Sequence, residues 1–287
     1  MAPQSDADQI PALKMMNTPD NSDREAGSRA PICCVRSICW FSCGAASAVA
    51  TKLALQERDN CEIVYQDTGA EHPDNERFLK DCEEWFGQEI KVIKSDKYKD
   101  VWDVFERTRY LVGVGGARCT AEMKRIPAEK YINHFEDDEI FGYTAEEQHR
   151  VDRFREGNPE RRIVTPLIEH QLGKADCLGL IEKQGIELPA MYKLGFNNNN
   201  CIGCVKGQAG YWNRIRIHFP QVFDRMAKME RELDVAINKR YEGEKRIRVF
   251  LDELDPEAGR HEEPDMSCGL FCVGLDLGHN DQGQATR

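Results

Sequence analysis

Cys201-Ile202-Gly203-Cys204 sets two thiols around a glycine. That is the knuckle by which one tight backbone turn presents a pair of thiolates to a metal. Asn197 to Asn200 precede it, a run that holds a tight loop and tolerates positive φ. Near the end, Ser267-Cys268-Gly269-Leu270-Phe271-Cys272 supplies a second pair in a segment too isolated for core packing. Its reading is metal ligation or thiol chemistry. Arg118, Lys124 and Arg125 gather positive charge in an acidic chain. Such a group suits a phosphate or sulfate, and the plain alternative is a solvated helix face. In Ser42-Cys43-Gly44-Ala45-Ala46-Ser47, small residues let backbone N–H groups and a helix N-terminus meet a phosphate. The hydroxyls of Ser42 and Ser47 add donors. Taken alone, this stretch equally describes an ordinary tight turn.

The elements around these residues give them positions. Val35 to Phe41 is an apolar run that reads as a buried strand, and Ala45 to Leu55 is a helix of strong formers. Cys61 to Gln66 is a second strand, Asp67-Thr68-Gly69-Ala70-Glu71-His72-Pro73 a polar loop, and Asn75 to Phe86 an amphipathic helix. A short strand follows at Ile90–Ile93. The alternation predicts an α/β fold with a parallel central sheet, helices on both faces and ligands at the carboxyl ends of the strands. The Ser42 turn and the Asp67 loop both fall at such ends. Residues 101–109 read as helical, and Leu111 to Gly116 as a glycine-rich connection. A helix is expected after Pro127, to about Phe135. Ile140 to Tyr143 is a short strand, and Thr144 caps a helix from Ala145 to Arg155 with Glu147 at its capping-box position. Gly173 to Lys183 reads as helical, and Tyr211 to Arg240 as a long, charged helical region. Cys33, Cys34 and Cys39 read as small buried hydrophobes. Cys43, at a helix N-terminus, is expected either to carry a lowered pKa or to be a small residue in a tight place. His72 reads as a loop-stabilising residue more readily than as a base.

Composition sets limits. The 287 residues carry a net charge of −11, which argues against a non-specific nucleic-acid binder while leaving a local basic face open. No run of 18 apolar residues exists, so no membrane span is expected, and the N-terminus lacks an apolar signal core, so a cytoplasmic chain is expected. Twelve cysteines in a reducing compartment point to metal or redox chemistry rather than structural disulfides. Residues 1–30 read as a disordered tail, 31–250 as a nucleotide-binding domain and 251–287 as an acidic, cysteine-containing segment.

In this order the motifs resemble the phosphoadenosine-phosphosulfate reductase-like branch of the PP-loop superfamily, the adenine-nucleotide alpha hydrolases, over about residues 32–272. The matching pieces are Ser42 to Ser47 as the PP-loop, Asp67-Thr68-Gly69 with Glu71-His72, Arg118-Cys119-Thr120 with Lys124, Gly142, Thr165-Pro166-Leu167, Tyr192 to Cys204, and Cys268-Gly269-Leu270. The resemblance implies an adenine nucleotide, ATP or its sulfated relatives, held by Ser42, Cys43, Gly44, Ala45, Ala46, Ser47, Asp67, Thr68, Gly69 and Gly142. It implies Arg118 and Lys124 on the anion. Ala45 and Ala46 stand where the ATP-cleaving branch has Lys and Asp, so Lys124, Arg118 or a magnesium ion would compensate. Cys119, Lys124 and Pro127 match the spacing of the cluster-bearing reductases, with Thr120 in place of a second cysteine, and Cys201 and Cys204 match their later pair. A [4Fe-4S] cluster on Cys119, Cys201 and Cys204 is thereby implied, with Cys268 or Cys272 as fourth ligand or one iron left open.

Three functions follow from the resemblance. The first is ATP activation with pyrophosphate release, coupled to sulfur transfer from a donor protein to an acceptor, tRNA and DNA among the options. The second is reduction of a sulfated adenine nucleotide, with Cys268 as the attacking thiolate and thioredoxin or Cys272 resolving the adduct. Ser267 and Phe271 depart from the Glu and His that flank that cysteine in the family. The third is a non-catalytic nucleotide-binding scaffold with a closed zinc site of four thiolates, from Cys201, Cys204, Cys268 and Cys272.

Overall fold

The computed structural model describes residues 35–113 and 115–259. Cys33, Cys34, Cys268, Cys272 and the 1–30 tail lie outside that range. In chain order the elements are β1 (Ser37–Phe41), α1 (Ala45–Glu57), β2 (Cys61–Gln66), α2 (Asn75–Phe86), β3 (Ile90–Ile93) and α3 (Val101–Thr108). Next come β4 (Val112–Gly113), β5 (Gly116–Ala117), α4 (Arg118–Thr120), a π turn over Ala121–Arg125 and α5 (Ile126–Tyr131). They are followed by β6 (Asp138–Ile140), α6 (Gln148–Gly157), β7 (Arg162–Val164), α7 (Pro166–Glu169), α8 (Lys174–Lys183) and α9 (Ala190–Lys193). The described chain closes with α10 (Ala209–His218), α11 (Pro220–Leu233), β8 (Asn238–Glu242) and β9 (Lys245–Val249). Among the described residues no helix is long and apolar enough to cross a membrane.

The chain divides into two compact units. One comprises the described residues up to Asp67, His72–Ile93 and Tyr131–Gly195; the other comprises Thr68–Glu71, Lys94–Lys130 and the described residues from Phe196.

The first unit is the α/β body, with helices around a five-stranded sheet in the order β3-β2-β1-β6-β7, all parallel. β1 is buried along its whole length because it is hydrogen-bonded on both sides, Cys39 facing Ile63 on β2 and Ile140 on β6. A strand so placed reads as a continuous apolar run rather than an alternating one. α1 is apolar nearly all round and buries nine of its residues. Phe41 reaches from β1 to stack on Phe78 and meet Phe86 edge-on, at 6.3 and 5.7 Å between ring centres, and so locks α2 to the sheet. Deep in β6, Glu139 accepts two bonds from the Arg161 guanidinium and one from the Trp40 indole, so this buried charge is fully paired. The Thr144–Glu147 capping box forms, the Glu147 carboxylate accepting from the Thr144 N–H at 3.0 Å, and opens a short 3₁₀ turn before α6.

The second unit packs α3, the β4–β5 hairpin, the α4–α5 helix, α10 and α11, with β8 and β9 as a separate antiparallel ribbon. Two expectations are corrected here. The helix begins at Arg118, nine residues before Pro127, and ends at Tyr131, because a π turn carries it up to the proline. Pro127 has no N–H to give the carbonyl four residues back, and the i→i+5 pattern, seen in the Ile126 N–H bonded to the Ala121 carbonyl, accommodates that loss. The region from Tyr211 to Arg240 is not one helix. Pro220 starts a new one, Asp234 ends it in the left-handed region at φ 52°, and residues 238–240 already belong to β8.

Candidate functional site

Strand order reverses at β1: β2 and β3 lie to one side, β6 and β7 to the other. In an open parallel sheet the crevice beyond the carboxyl ends of the strands at that point is where ligands bind. The loop from Ser42 to Gly44 leaves β1 there, and Phe141-Gly142 leaves β6 beside it. Ser47 shapes the loop. Its hydroxyl accepts from the Ser42 N–H at 3.1 Å, the Ser42 hydroxyl at 3.0 Å and the Gly44 N–H at 3.4 Å, and donates to the Gly44 carbonyl at 2.9 Å. The loop's curl is thus fixed by a side chain inside the helix that follows. Cys43 takes φ 60°, is fully buried, and directs its thiol at the Asn75 carbonyl 3.7 Å away. That geometry matches the small residue in a tight place. The Ala45 N–H donates to the Tyr192 hydroxyl at 3.3 Å. Gly142 has its own reason to be glycine: a Cβ there would lie 2.7 Å from both Cα and N of Ser47. The two loops therefore touch backbone to backbone at the start of α1.

Residues 67–73 form the polar loop expected after β2. Glu71 is its organiser. Its carboxylate accepts from the Thr68 and Ala70 N–H groups at 3.1–3.2 Å and from the Thr68 hydroxyl at 2.5 Å. The Thr68-x-x-Glu71 spacing is that of a capping box, a signal passed over in favour of His72. His72 accepts from the Asp74 N–H through Nδ1 at 3.1 Å, in keeping with a loop-stabilising role. Gly69, at φ 70°, is needed where the chain crosses the start of α3, since a Cβ would lie 2.7 Å from Cβ of Asp100. Asp67 anchors the end of β2 through its N–H to the Ile93 carbonyl at 3.1 Å.

Within the second unit, Cys119, Cys201 and Cys204 line one pocket together with Thr68, Thr120, Lys124 and Lys206. Counted with the open solvent at its mouth, the space between these side chains is about 380 Å³. The π turn supplies Lys124. Arg118 is engaged elsewhere, with Glu122 at 2.7 Å, and Arg125 lies 3.8 Å from Glu129, so two of the three basic residues read from the sequence belong to ion pairs along the helix. Lys206, two residues past the second thiol, was not anticipated. The thiol of Cys201 lies 3.0 Å from the Thr68 hydroxyl and 3.7 Å from the Glu71 carboxylate. This hydrogen-bonded chain gives the thiol proton a route toward a carboxylate, and ligation requires that proton to leave.

The turn from Cys201 to Cys204 hangs on Tyr211. The buried Tyr211 hydroxyl accepts from the Gly203 N–H at 3.0 Å and the Cys204 N–H at 2.9 Å, and donates to the Cys201 carbonyl at 2.9 Å. Burial holds its pKa well above the usual tyrosine value, so it remains a neutral donor. Gly203, at φ 81°, passes under Val222, whose Cγ1 would sit 2.7 Å from a Cβ.

Three thiols on one pocket are a soft donor set, suited to iron–sulfur or zinc chemistry. Among the described residues, no three His, Cys, Asp or Glu side chains are gathered closely enough to hold a single ion. Cys268 and Cys272 lie outside the described residues.

The comparisons agree with this architecture. The chain matches the phosphoadenosine phosphosulfate reductase domain over residues 36–209. It is 23% identical over 228 residues to an uncharacterised protein of Methanocaldococcus jannaschii, covering 76% of this chain and 52% of that protein. It is 28% identical over 196 residues to an uncharacterised nin-region protein of Escherichia phage lambda, covering 58% of this chain and 64% of that one. The chain thus spans about half to two thirds of the length of these relatives. With the family's domain matched across more than half of its residues, this chain belongs to the phosphoadenosine phosphosulfate reductase domain family.

Proposed function

We propose that the protein is an adenine-nucleotide-dependent enzyme of sulfur chemistry, with the nucleotide phosphates at the Ser42–Ser47 loop and the sulfur chemistry at the thiol pocket. The observation that carries the reading is the small-residue loop at the strand-order reversal, where the backbone of Gly142 meets that of Ser47 with no room for a side chain between them. Backbone N–H groups at the start of α1 would take the phosphate oxygens, as helix N-termini do. With Ala45 and Ala46 in the loop, charge compensation falls to magnesium on the nucleotide or to lysine. In the favoured reaction an acceptor oxygen attacks the α-phosphorus of ATP, pyrophosphate leaves, and a sulfur nucleophile then displaces AMP from the activated acceptor. Such a reaction depends on in-line positioning and charge stabilisation more than on acid–base groups.

At the thiol pocket Cys119, Cys201 and Cys204 would hold a cluster, which when bound supplies a site for sulfide. The chain's own residues prepare it. Tyr211 fixes the spacing of the Cys201 and Cys204 backbones, Thr68 and Glu71 provide the path for the Cys201 proton, and Lys124 and Lys206 bring positive charge to anionic sulfur. A second reading, reduction of a sulfated adenine nucleotide, is favoured by the loop's lack of lysine, which that branch of the family shares.

The test is iron, zinc and acid-labile sulfide per chain on protein prepared without oxygen, with pyrophosphate release from ATP followed in parallel. Stoichiometric iron and sulfide, lost in Cys119→Ala, together with pyrophosphate release, is the expected result. Zinc that survives Cys119→Ala overturns the cluster. Sulfite release from a sulfated nucleotide in the presence of a dithiol, without pyrophosphate release from ATP, replaces sulfur transfer with reduction.

A further inference from the structure

The ribbon of β8 and β9 takes no part in either site. Residues 238–249 hold five Lys and Arg against two Glu, in a chain whose net charge is −11. The antiparallel register sorts these charges by face. Lys239 stands opposite Arg248 and Tyr241 opposite Arg246. Side chains two apart on a strand share a face, so Lys239, Tyr241, Arg246 and Arg248 lie together. The other face carries Arg240 opposite Ile247 and Glu242 opposite Lys245, with Arg240 and Glu242 paired at 3.0 Å. All the acid of the two strands is therefore on one face, and the strand residues of the opposite face are three cations and an aromatic ring, with Asp234 of the preceding segment paired to Arg248. That ring is exposed: Tyr241 is 61% accessible, with the Lys239 ammonium 5.7 Å from its centre. Arg248 is held in place by the Asp234 carbonyl at 2.7 Å and carboxylate at 3.2 Å. The two-residue turn at Gly243, φ 61°, lets the ribbon close tightly.

We infer that this face binds single-stranded nucleic acid, Lys239 and Arg246 meeting phosphates while a base stacks on Tyr241. Charge complementarity selects a polyanion, and the exposed ring among cations selects one with flat, unstacked bases. Base stacking on an aromatic platform flanked by basic residues is the sequence-tolerant mode of single-strand recognition. This goes beyond the sulfur chemistry and stands without it, since the ribbon is argued from its own register and charge.

The test is fluorescence anisotropy of labelled 20-nucleotide single-stranded RNA and DNA with the full chain, across a salt series. Binding that weakens linearly on a log–log salt plot is expected. The Lys239→Ala/Arg246→Ala pair should weaken it at least tenfold and lower the slope by about 1.4, two phosphate contacts at about 0.7 each. Tyr241→Ala should weaken it roughly tenfold and Tyr241→Trp should retain it. Tighter binding of RNA or of DNA then names the strand. Absence of binding at 50 mM salt, unchanged binding in the folded variants, a preference for duplex, or equal binding of polyglutamate each overturns the inference, the last in favour of an acidic protein partner. Circular dichroism of each variant checks that the ribbon's exposed residues were changed without unfolding the chain.

Discussion

The hydroxyl of Tyr211 donates to the carbonyl of Cys201 at 2.9 Å while accepting the N–H groups of Gly203 and Cys204. One phenol, ten residues along the chain, thus satisfies three backbone groups of the thiol-bearing turn. Tyr211→Phe leaves those groups in a buried place without the partner, at roughly 1–3 kcal/mol for each that water cannot reach. A loss of about 2–4 kcal/mol in urea unfolding is expected, together with reduced metal per chain. A variant as stable as the parent would show that the turn is set by its asparagines and glycine alone.

Gly142→Ala pushes a methyl into the backbone of Ser47. Neither chain can yield as a flexible side chain would, so the loop after β1 must shift. Adenine-nucleotide affinity, by equilibrium dialysis with ATP and with adenylyl sulfate, should fall tenfold or more while far-UV dichroism stays native. Gly179→Ala is the matched control. A Cβ there meets nothing within 4 Å, and within α8 alanine should raise stability by about 0.5–1 kcal/mol with affinity unchanged.

Glu230 gives a pH signature. It is fully buried, and burial lifts its pKa to about 7 although it accepts from the Ile237 and Leu251 N–H groups. Between the unfolded value near 4.5 and about 7 the folded state holds a proton that the unfolded state has released. This contribution is therefore complete below about 4.5 and is lost as pH rises through 7. The unfolding free energy of the parent should decline across that window relative to Glu230→Gln, by on the order of 3 kcal/mol. Parallel profiles would show that Glu230 titrates alike folded and unfolded.

Thiol reactivity should be graded. A hydrogen bond from Cys39, aided by Arg58, lowers the pKa of Cys61 against partial burial. Burial pushes Cys177 up to about 12 and Cys82 further still, and Cys39 is raised as well, by its bond to Cys61 and by burial. Brief alkylation at neutral pH, mapped by mass spectrometry, should label Cys61 before Cys39, Cys82 and Cys177. Labelling of Cys82 at the same rate would mean that α2 opens readily.

The parallel sheet was legible because its strands are doubly buried and its helices amphipathic or alanine-rich, so pattern and fold agree from β1 to β3. The small-residue turn between β1 and α1 could be placed for the same reason, while its reading as a phosphate loop rests on the family resemblance. What sequence could not supply was the reason for individual residues. Glu71 and Tyr211 organise their loops through contacts that a list of reactive residue types does not highlight. Arg118 pairs with Glu122 one turn along the helix, a partner that its residue type alone does not disclose. The expected helix runs on to Arg240, into the first residues of β8, because charged residues at nearly every position there give no apolar period of either kind. The π turn had a marker in Pro127, but a proline inside a helix reads as a start or a stop before it reads as a shift in hydrogen bonding.

β1 has a consequence for how the protein is made. Its partner on one side, β2, follows closely, but its partner on the other, β6, arrives about 100 positions later, after the chain has passed through Lys94–Lys130 of the other unit. Until then the most apolar strand of the sheet has one edge unpaired on the ribosome. At typical synthesis rates of 5–20 residues per second, that exposure lasts roughly 5–20 seconds. The nascent chain thus depends on what shields that edge during elongation, and substitutions that roughen β6 should show first as lost yield rather than as lost activity.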